Sequence, residues 1–558
     1  MNVIVDIEVY RNYFLIAMLN PQRDEVRYCE MFPGQDLDID AIKRTLGRHT
    51  LVTFNGNNFD LPLISAALAG ANNAKLKEFS DKIIKNNAKP WTLKIPSNTW
   101  DHIDLIEISP GIASLKIYGG RMHCPKMQDL PIDPDQDISP EQRALLRHYC
   151  ANDLYTTQAL FDKLTPQIKL REQMSAQYGI DLRSKSDAQI AEAVICHEVE
   201  RAGVLLTKED PFRLAGNTFK YDPPSFLAFS SPELQAVLDT VTRAEFLIGG
   251  NGVVQMPKEV AALKIAIGNS VYRMGIGGLH SSEKSAAHTA SNDWVLIDRD
   301  VASYYPAIIL NCGLKPENMG DAFTTVYRGI VERRLKAKRD GDTVTADSLK
   351  ITINGSFGKF GSPYSKLYSP KLLIQTTLTG QLALLMLIER LERLTNVFVV
   401  SANTDGIVIS TPNIKAVDAE VNAWEKQTGF QTEATNYVAL YSRDVNNYIA
   451  LKPDGGVKLK GTYAPGGLQK NPQTEIVTGA VVRYLRDGVG VAQTIYECDD
   501  IRKFICIRTV KGGAVKDGDY LGKAIRWYYA RGVDGYIEYK VNGYKVPSTD
   551  GAKPLMDF

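Results

Sequence analysis

Short apolar runs at Val3–Ile7 and Tyr13–Met18, separated by a polar turn, predict two strands at the start of the chain. Leu51–Phe54 predicts another. Helical spacing then appears in Pro140–Leu160 and in Ser186–Arg201, which opens on Ser-Asp before an apolar periodic run. Residues 202–290 are rich in turn signals, including Gly249-Gly250-Asn251-Gly252 and Gly275-Ile276-Gly277-Gly278, and read as a connector. Trp294–Ile297 predicts a buried strand running into Asp300. Thr324–Arg339 and Thr345–Phe357 predict two helices around the turn Asp340-Gly341-Asp342, and Lys371–Leu394 a long amphipathic helix. Val397–Ser401 and Ile407–Ser410 predict a β-hairpin with Asn403-Thr404-Asp405-Gly406 at its tip. Beyond about residue 465, short strands mix with a predicted helix at Leu521–Ala530. The pattern is that of an α/β protein of several domains.

Composition narrows this only a little. The 558 residues are enough for several buried cores, and 44% hydrophobic with 23% charged residues is ordinary for a soluble globular chain. The net charge of +1 gives no global vote for nucleic acid, so any such surface rests on local clustering. One cluster is visible: residues 501–558 hold eleven basic and six acidic side chains, with Trp527, Tyr528 and Tyr529 interleaved among Lys523, Arg526 and Arg531. Seven scattered cysteines with no Cys-x-x-Cys pair argue against a zinc module or a disulfide framework and point to reduced thiols in a cytoplasmic setting. No stretch reads as a membrane span, and Met1 leads into a strand and not a signal peptide, so no membrane partner is expected.

The chemistry lies in carboxylates. On a strand, Asp6 and Glu8 share one face while Ile7 points to the other. Paired carboxylates suit divalent cations, which prefer oxygen ligands. Asp60 and Asp153 are candidates to complete that cage, with Tyr149 one helical turn before Asp153. A lone Asp-x-Glu is usually a solvated strand edge; the ordered set is what favours a site. Later, Asp300 at a strand end and Asp405 at a hairpin tip form a second candidate pair. Arg334 and Lys338 stand four apart on one predicted helix, and Lys350 and Asn354 four apart on the next, so each pair shares a face that could grip phosphate.

The series Val5-Asp6-Ile7-Glu8, Asn55 to Asp60, Tyr149 to Asp153, Asp300-Val301-Ala302-Ser303-Tyr304-Tyr305-Pro306, Lys350 to Gly358 and Asn403 to Gly406 resembles that of a family B DNA polymerase with a 3′→5′ proofreading exonuclease. The resemblance implies an RNase H-like exonuclease at 1–185 and a connector with the start of the palm at 186–290. It implies palm at 291–320, short fingers at 321–360, palm again at 361–464 and thumb at 465–558. It implies DNA-templated synthesis at Asp300 and Asp405, and excision at Asp6, Glu8, Asp60 and Asp153 with Tyr149 assisting. Two Mg²⁺ ions per site, with Mn²⁺ as a substitute, would be held by these acids and by the Val301 carbonyl. Tyr305 would reject a 2′-hydroxyl; Arg334, Lys338, Lys350 and Asn354 would bind the nucleotide. Asn55 would touch the frayed 3′ strand, and Tyr448 and Lys460 the primer. The implied partners are primer-template DNA, deoxynucleoside triphosphates, a single-stranded 3′ end and replication accessory proteins, for a monomer in the cytoplasm (of a host cell, if phage-encoded).

Departures from the family pattern matter too. Asn403 stands where the third polymerase motif usually has a first Asp, and is expected to keep an oxygen ligand. Gly355 and Phe357 replace Ser and Tyr, Asn446 replaces a primer-grip Lys, and Gly275–Gly278 only partly matches the Tyr-x-Gly-Gly linker. Only fifty residues separate Asp300 from Lys350 and fifty-five Lys350 from Asp405, leaving no room at full size for the two insertions of protein-primed phage enzymes. This compactness resembles a phage or mobile-element replicase. Two alternatives stay open: a nuclease whose polymerase half only binds DNA, and a polymerase that starts without a primer.

Overall fold

The computed structural model describes residues 1–96, 99–207 and 209–557. Two compact units emerge: residues 1–186 with 466–558, and residues 187–465.

The first unit is built on a five-stranded sheet in the order Glu25–Met31, Phe14–Asn20, Asn2–Val9, Thr50–Thr53, His102–Asp104. The first three strands are antiparallel; Asn2–Val9, Thr50–Thr53 and His102–Asp104 run parallel. The central strand is buried on both faces, as a strand covered on two sides must be. Val3, Val5, Ile7 and Val9 pack with Leu63, Ile64 and Ala67 of the helix Asp60–Leu68 on one face. Ile4 packs on the other with Leu146, Cys150 and Leu154. Those three lie on the helix Pro140–Tyr178, whose 39 residues run well past the predicted end at Leu160. Ser139 and Gln142 close its start with a capping box, and Pro166 fails to end it. The strand Glu25–Met31 has no fully buried side chain and gave no periodic signal.

The C-terminal segment folds onto this unit as a four-stranded sheet, in the order Glu538–Tyr539, Cys506–Lys516, Asp519–Tyr529, Ala552–Pro554. The helix predicted at Leu521–Ala530 is therefore a strand, paired along its length with Cys506–Lys516. Leu521 and Ile525 fall four apart and mimic a helical stripe, but the aromatic run that follows prefers a pleated, half-buried surface. The interleaved basic and aromatic residues are not one exposed face either. Trp527 is fully buried, and the Arg526 guanidinium lies inside, donating to the carbonyls of Cys124, Pro125, Leu555 and Met556.

The second unit carries a seven-stranded antiparallel sheet. Its order is Thr432–Tyr437, Val295–Val301, Gly406–Thr411, Phe398–Asn403, His280–Ser281, Ser270–Arg273, Ile265–Ile267. The supposed connector thus supplies three of its strands. The helix Pro370–Glu392 was expected to be amphipathic; instead it is buried on nearly every side against this sheet. By length and composition alone it could cross a membrane, contrary to expectation, but it is the core helix of this unit. Gly320–Asp340 and Thr343–Phe360 form an antiparallel helix pair that shares a core with Asp187–Arg201. Gly355 explains their closeness: a Cβ there would overlap the carbonyl of Asp187. It faces that helix, so its departure from the usual Ser serves packing.

Candidate active sites

The N-terminal site forms where the strand Asn2–Val9 meets the helix Pro140–Tyr178. Strand alternation turns Asp6 and Glu8 to the face the helix covers, and helical spacing brings Tyr149, Cys150 and Asp153 down onto it. The Cys150 thiol donates to Asp6 Oδ2 at 3.2 Å. Ligand atoms of Asp6, Glu8 and Cys150 lie within 4.8 Å of one another. Burial and the charge of Asp153 push the Asp6 carboxyl up to about 7. Burial and the Asp6 and Asp153 charges push Glu8 well up, and burial with the Asp6 charge does the same to Asp60 at its helix N-terminus. Asp153 rises to about 6 through burial, offset by Lys116 and by hydrogen bonds from Tyr149 and Asn152. Four carboxylates thus crowd together in a largely buried place with Lys116 near them. That electrostatic conflict is the environment a hard divalent cation relieves, and the oxygen donors suit magnesium or manganese.

Asn55 lies at φ 69° on the turn before Asp60. Its amide oxygen accepts from Asn58 at 3.0 Å. The buried carboxylate of Asp104 organises this loop, accepting from the backbone N–H of Asn55 at 2.7 Å and of Asn57 at 2.9 Å.

The second site lies on the seven-stranded sheet. Asp300 pairs in register with Gly406, next to Asp405, and the Val301 N–H donates to the Asp405 carbonyl at 2.7 Å. Thr404 takes a left-handed φ of 54° to turn the tip. A Cβ on Gly406 would overlap the Asp300 carboxylate, so the glycine leaves room for that side chain beside the hairpin tip. Burial and Asp298 raise the Asp300 carboxyl, with Asp405 adding to the effect; burial also raises Asp405, and Lys460 and Lys458 oppose it. Two raised carboxylates around a cradle that a Cβ would fill fit a divalent cation.

A cavity of about 430 Å³ opens beside them, lined by residues that include Tyr305, Arg334, Asn354, Phe357 and Asp405. Tyr305 stacks on Phe357 with ring centroids 4.3 Å apart and donates its hydroxyl to the Gly277 carbonyl at 2.7 Å. Arg334 donates to Ser303 Oγ at 3.2 Å.

Sequence comparison adds a relation. "DNA polymerase 1" of Aeropyrum pernix is 28% identical over 123 residues, covering 22% of this chain and 13% of the relative. "DNA polymerase 1" of Sulfolobus acidocaldarius is 26% identical over 124 residues, covering 22% and 14%. Both matches fall on DNA polymerases. No protein-family profile matches the chain. The family B DNA polymerase from the hyperthermophilic archaeon Pyrobaculum calidifontis is a structural neighbour over 99% of this chain and 74% of its own, at 15% identity and a TM-score of 0.43. The matched segment spans about a seventh of either curated relative.

The structure gathers most of the expected residues. Asp6, Glu8, Asp60, Tyr149 and Asp153 form one cluster; Asp300, Val301, Tyr305, Arg334, Asn354 and Asp405 form another. Lys338 and Lys350 do not line the cavity: both are exposed, one turn farther out along their helices than Arg334 and Asn354. Lys460 Nζ sits 5.8 Å from the centre of the Tyr448 ring. Asn403 is engaged through both amide atoms, and its oxygen, with one hydrogen bond, keeps a second lone pair. Its Nδ2 donates to the Val445 carbonyl at 3.2 Å and to Asn446 Oδ1 at 3.3 Å, and its Oδ1 accepts from Thr404 Oγ1 at 3.1 Å. It staples the hairpin tip.

Sequence reading gave Lys116, Cys150 and Lys458 no role beside the carboxylates. Lys458 Nζ reaches Asp298 at 2.9 Å and Asp300 at 3.7 Å, while Tyr437 donates to the same buried Asp298 at 2.5 Å. Its two-residue spacing from Lys460 was the available signal, since both share a strand face. Lys116, alone in its segment, gave none.

Proposed function

We propose that the chain is a DNA-templated DNA polymerase with a 3′→5′ proofreading exonuclease, the chemistries residing in separate units. The observation that carries the reading is the pair Asp300 and Asp405, held in register across Gly406 beside a cavity walled by Tyr305, Arg334 and Asn354. The similarity of one segment to archaeal DNA polymerases supports it.

Asp300, Asp405 and the Val301 carbonyl would hold divalent metal in the polymerase unit, and Asp6, Glu8, Asp60 and Asp153 in the other. Magnesium, when bound, supplies neutralisation of phosphate charge and activation of the attacking hydroxyl or water. The chain's own residues do the rest. Arg334 grips phosphate oxygens bidentately, and Lys338 and Lys350 attract the triphosphate as it arrives. Tyr305, braced by Phe357 and Gly277, walls the sugar so that a 2′-hydroxyl collides with the ring. Lys458 and Lys460 keep Asp300 and Asp405 from repelling each other and steer the primer backbone. Across the other unit, Tyr149 holds Asp153 and orients water, and Lys116 adds positive charge where the scissile phosphate gains negative charge. Asn55 contacts the single-stranded end.

A primer-extension gel with a mismatched 3′ end tests both halves at once. Elongated products with nucleotides and Mg²⁺, and shortened primers without nucleotides, are expected. Degradation without any elongation would leave only the nuclease half standing.

A further inference from the structure

In the first unit a feature remains that the catalytic reading does not use. Asp129 lies between the carboxylate cluster and the C-terminal sheet, with both of its oxygens engaged. Oδ1 faces Lys116 Nζ at 3.3 Å. Oδ2 accepts from the Tyr520 hydroxyl at 2.9 Å and from the Lys523 backbone N–H at 2.9 Å. Tyr520 is 391 residues from Asp129 in sequence. The strand pair Cys506–Lys516 and Asp519–Tyr529 is bulged where Tyr520 leaves it, with register shifts on both sides of Ala514. Bulges re-aim side chains, and this one turns Tyr520 towards Asp129. Gly522, at φ +99°, permits the turn, and Lys540 Nζ lies 4.6 Å from the centre of the Tyr520 ring, fixing it from the far side. Tyr149, Asp129, Tyr520 and Gly522 all line one cavity of about 440 Å³. Lys116 Nζ in turn lies 5.5 Å from the centre of the Tyr149 ring, its charge felt by Glu8 and Asp153.

We propose that the C-terminal hairpin is a working part of the exonuclease centre: Tyr520 and the Lys523 backbone hold Asp129, and Asp129 holds Lys116 against the carboxylate cluster. Asp129 and Tyr520 are positioning residues, and the inference rests on the nuclease reading above. A lysine has four rotatable carbons and a strongly hydrated head, so unanchored it would swing to solvent. Anchored at one carboxylate oxygen, it keeps its remaining protons for the phosphate. The second oxygen, held by two donors, stops the carboxylate from following the lysine outward.

Tyr520→Phe removes one hydrogen bond to a charged acceptor and keeps the ring. It should lower exonuclease kcat on a single-stranded oligonucleotide by about tenfold with KM unchanged. Asp129→Asn, which leaves the hairpin sequence intact, should lower kcat further, and Asp129→Glu should recover part of it. In a Lys116→Ala background Tyr520→Phe should add nothing, because the lysine it positions is gone. Incorporation of a single nucleotide on a matched primer should change far less than excision, since Asp300 and Asp405 lie in the other unit. Wild-type kcat in Tyr520→Phe, an equal fall in the Lys116→Ala background, or a change in KM alone would overturn the proposal. If instead the wild-type chain degrades nothing, or Asp6→Ala leaves degradation intact, the nuclease reading itself fails.

Discussion

Gly406→Ala is the sharpest probe of the polymerase site. Gly406 opens the strand Gly406–Thr411 with an ordinary φ, so a methyl group there strains no backbone. Its cost is steric. The new Cβ would overlap Asp300 Oδ1, with Asp300 Cγ at 3.2 Å and the Arg299 carbonyl at 3.3 Å. The overlap is roughly 1 Å inside normal contact. The hairpin is pinned by Asn403 to Val445 and by the Val301 N–H to Asp405, so the Asp300 carboxylate is the part that yields. A displacement near 1 Å at a reacting centre costs on the order of 10²-fold in rate. That corresponds to about 2.7 kcal/mol of transition-state stabilisation. Overpacking one methyl should cost about 1–3 kcal/mol of stability. The assay is single-nucleotide incorporation under saturating nucleotide, with degradation of a single strand as internal reference. Gly329→Ala, in the middle of Gly320–Asp340 with nothing within 4 Å of its Cβ, controls for the substitution itself. Incorporation by Gly406→Ala within about threefold of wild type would refute the claim that the Asp300 position limits chemistry.

Tyr305→Ala removes the wall beneath the sugar; ribonucleotide incorporation should rise at least about tenfold relative to deoxyribonucleotide, and unchanged discrimination would place the sugar check elsewhere. His102 is a pH-dependent stability element. Burial holds its ring down to about 4, with Thr53 Oγ1 2.8 Å from Nε2. Its folded pKa lies below the unfolded one, so its contribution is complete above about pH 6.5 and is lost as pH falls towards 4. Wild type should lose roughly 2–3 kcal/mol more than His102→Gln between about pH 7.5 and 4.5 in urea unfolding, and parallel losses would exclude it.

What was legible in the sequence was periodic or local. Alternation at Asp6 and Glu8, the four-residue step from Tyr149 to Asp153, and the turn at Asn403–Gly406 each carry their own geometry. So did the helix pair bearing Arg334 and Asn354. What was not legible depends on partners distant in the chain. Lys116 matters through carboxylates on another strand and helix, and Asp129 meets Tyr520 across 391 residues. Leu521 and Ile525 imitate a helix until Cys506–Lys516 pairs beside them. The basic and aromatic cluster at the C-terminus proved partly internal, with Arg526 and Trp527 buried, because carbonyls from a remote loop satisfy the guanidinium. The anchoring of Asn403 was hidden for the same reason, because its amide nitrogen donates to Val445 and Asn446, 42 and 43 residues on.

The central claim is that two carboxylate sets in separate units perform separate chemistries. The direct measurement is one gel on which Asp405→Ala and the Asp6→Ala, Glu8→Ala double variant are run beside wild type, with and without nucleotides. Asp405→Ala should stop elongation and keep shortening the primer, and the double variant should do the reverse. Loss of both activities in either variant would contradict the account.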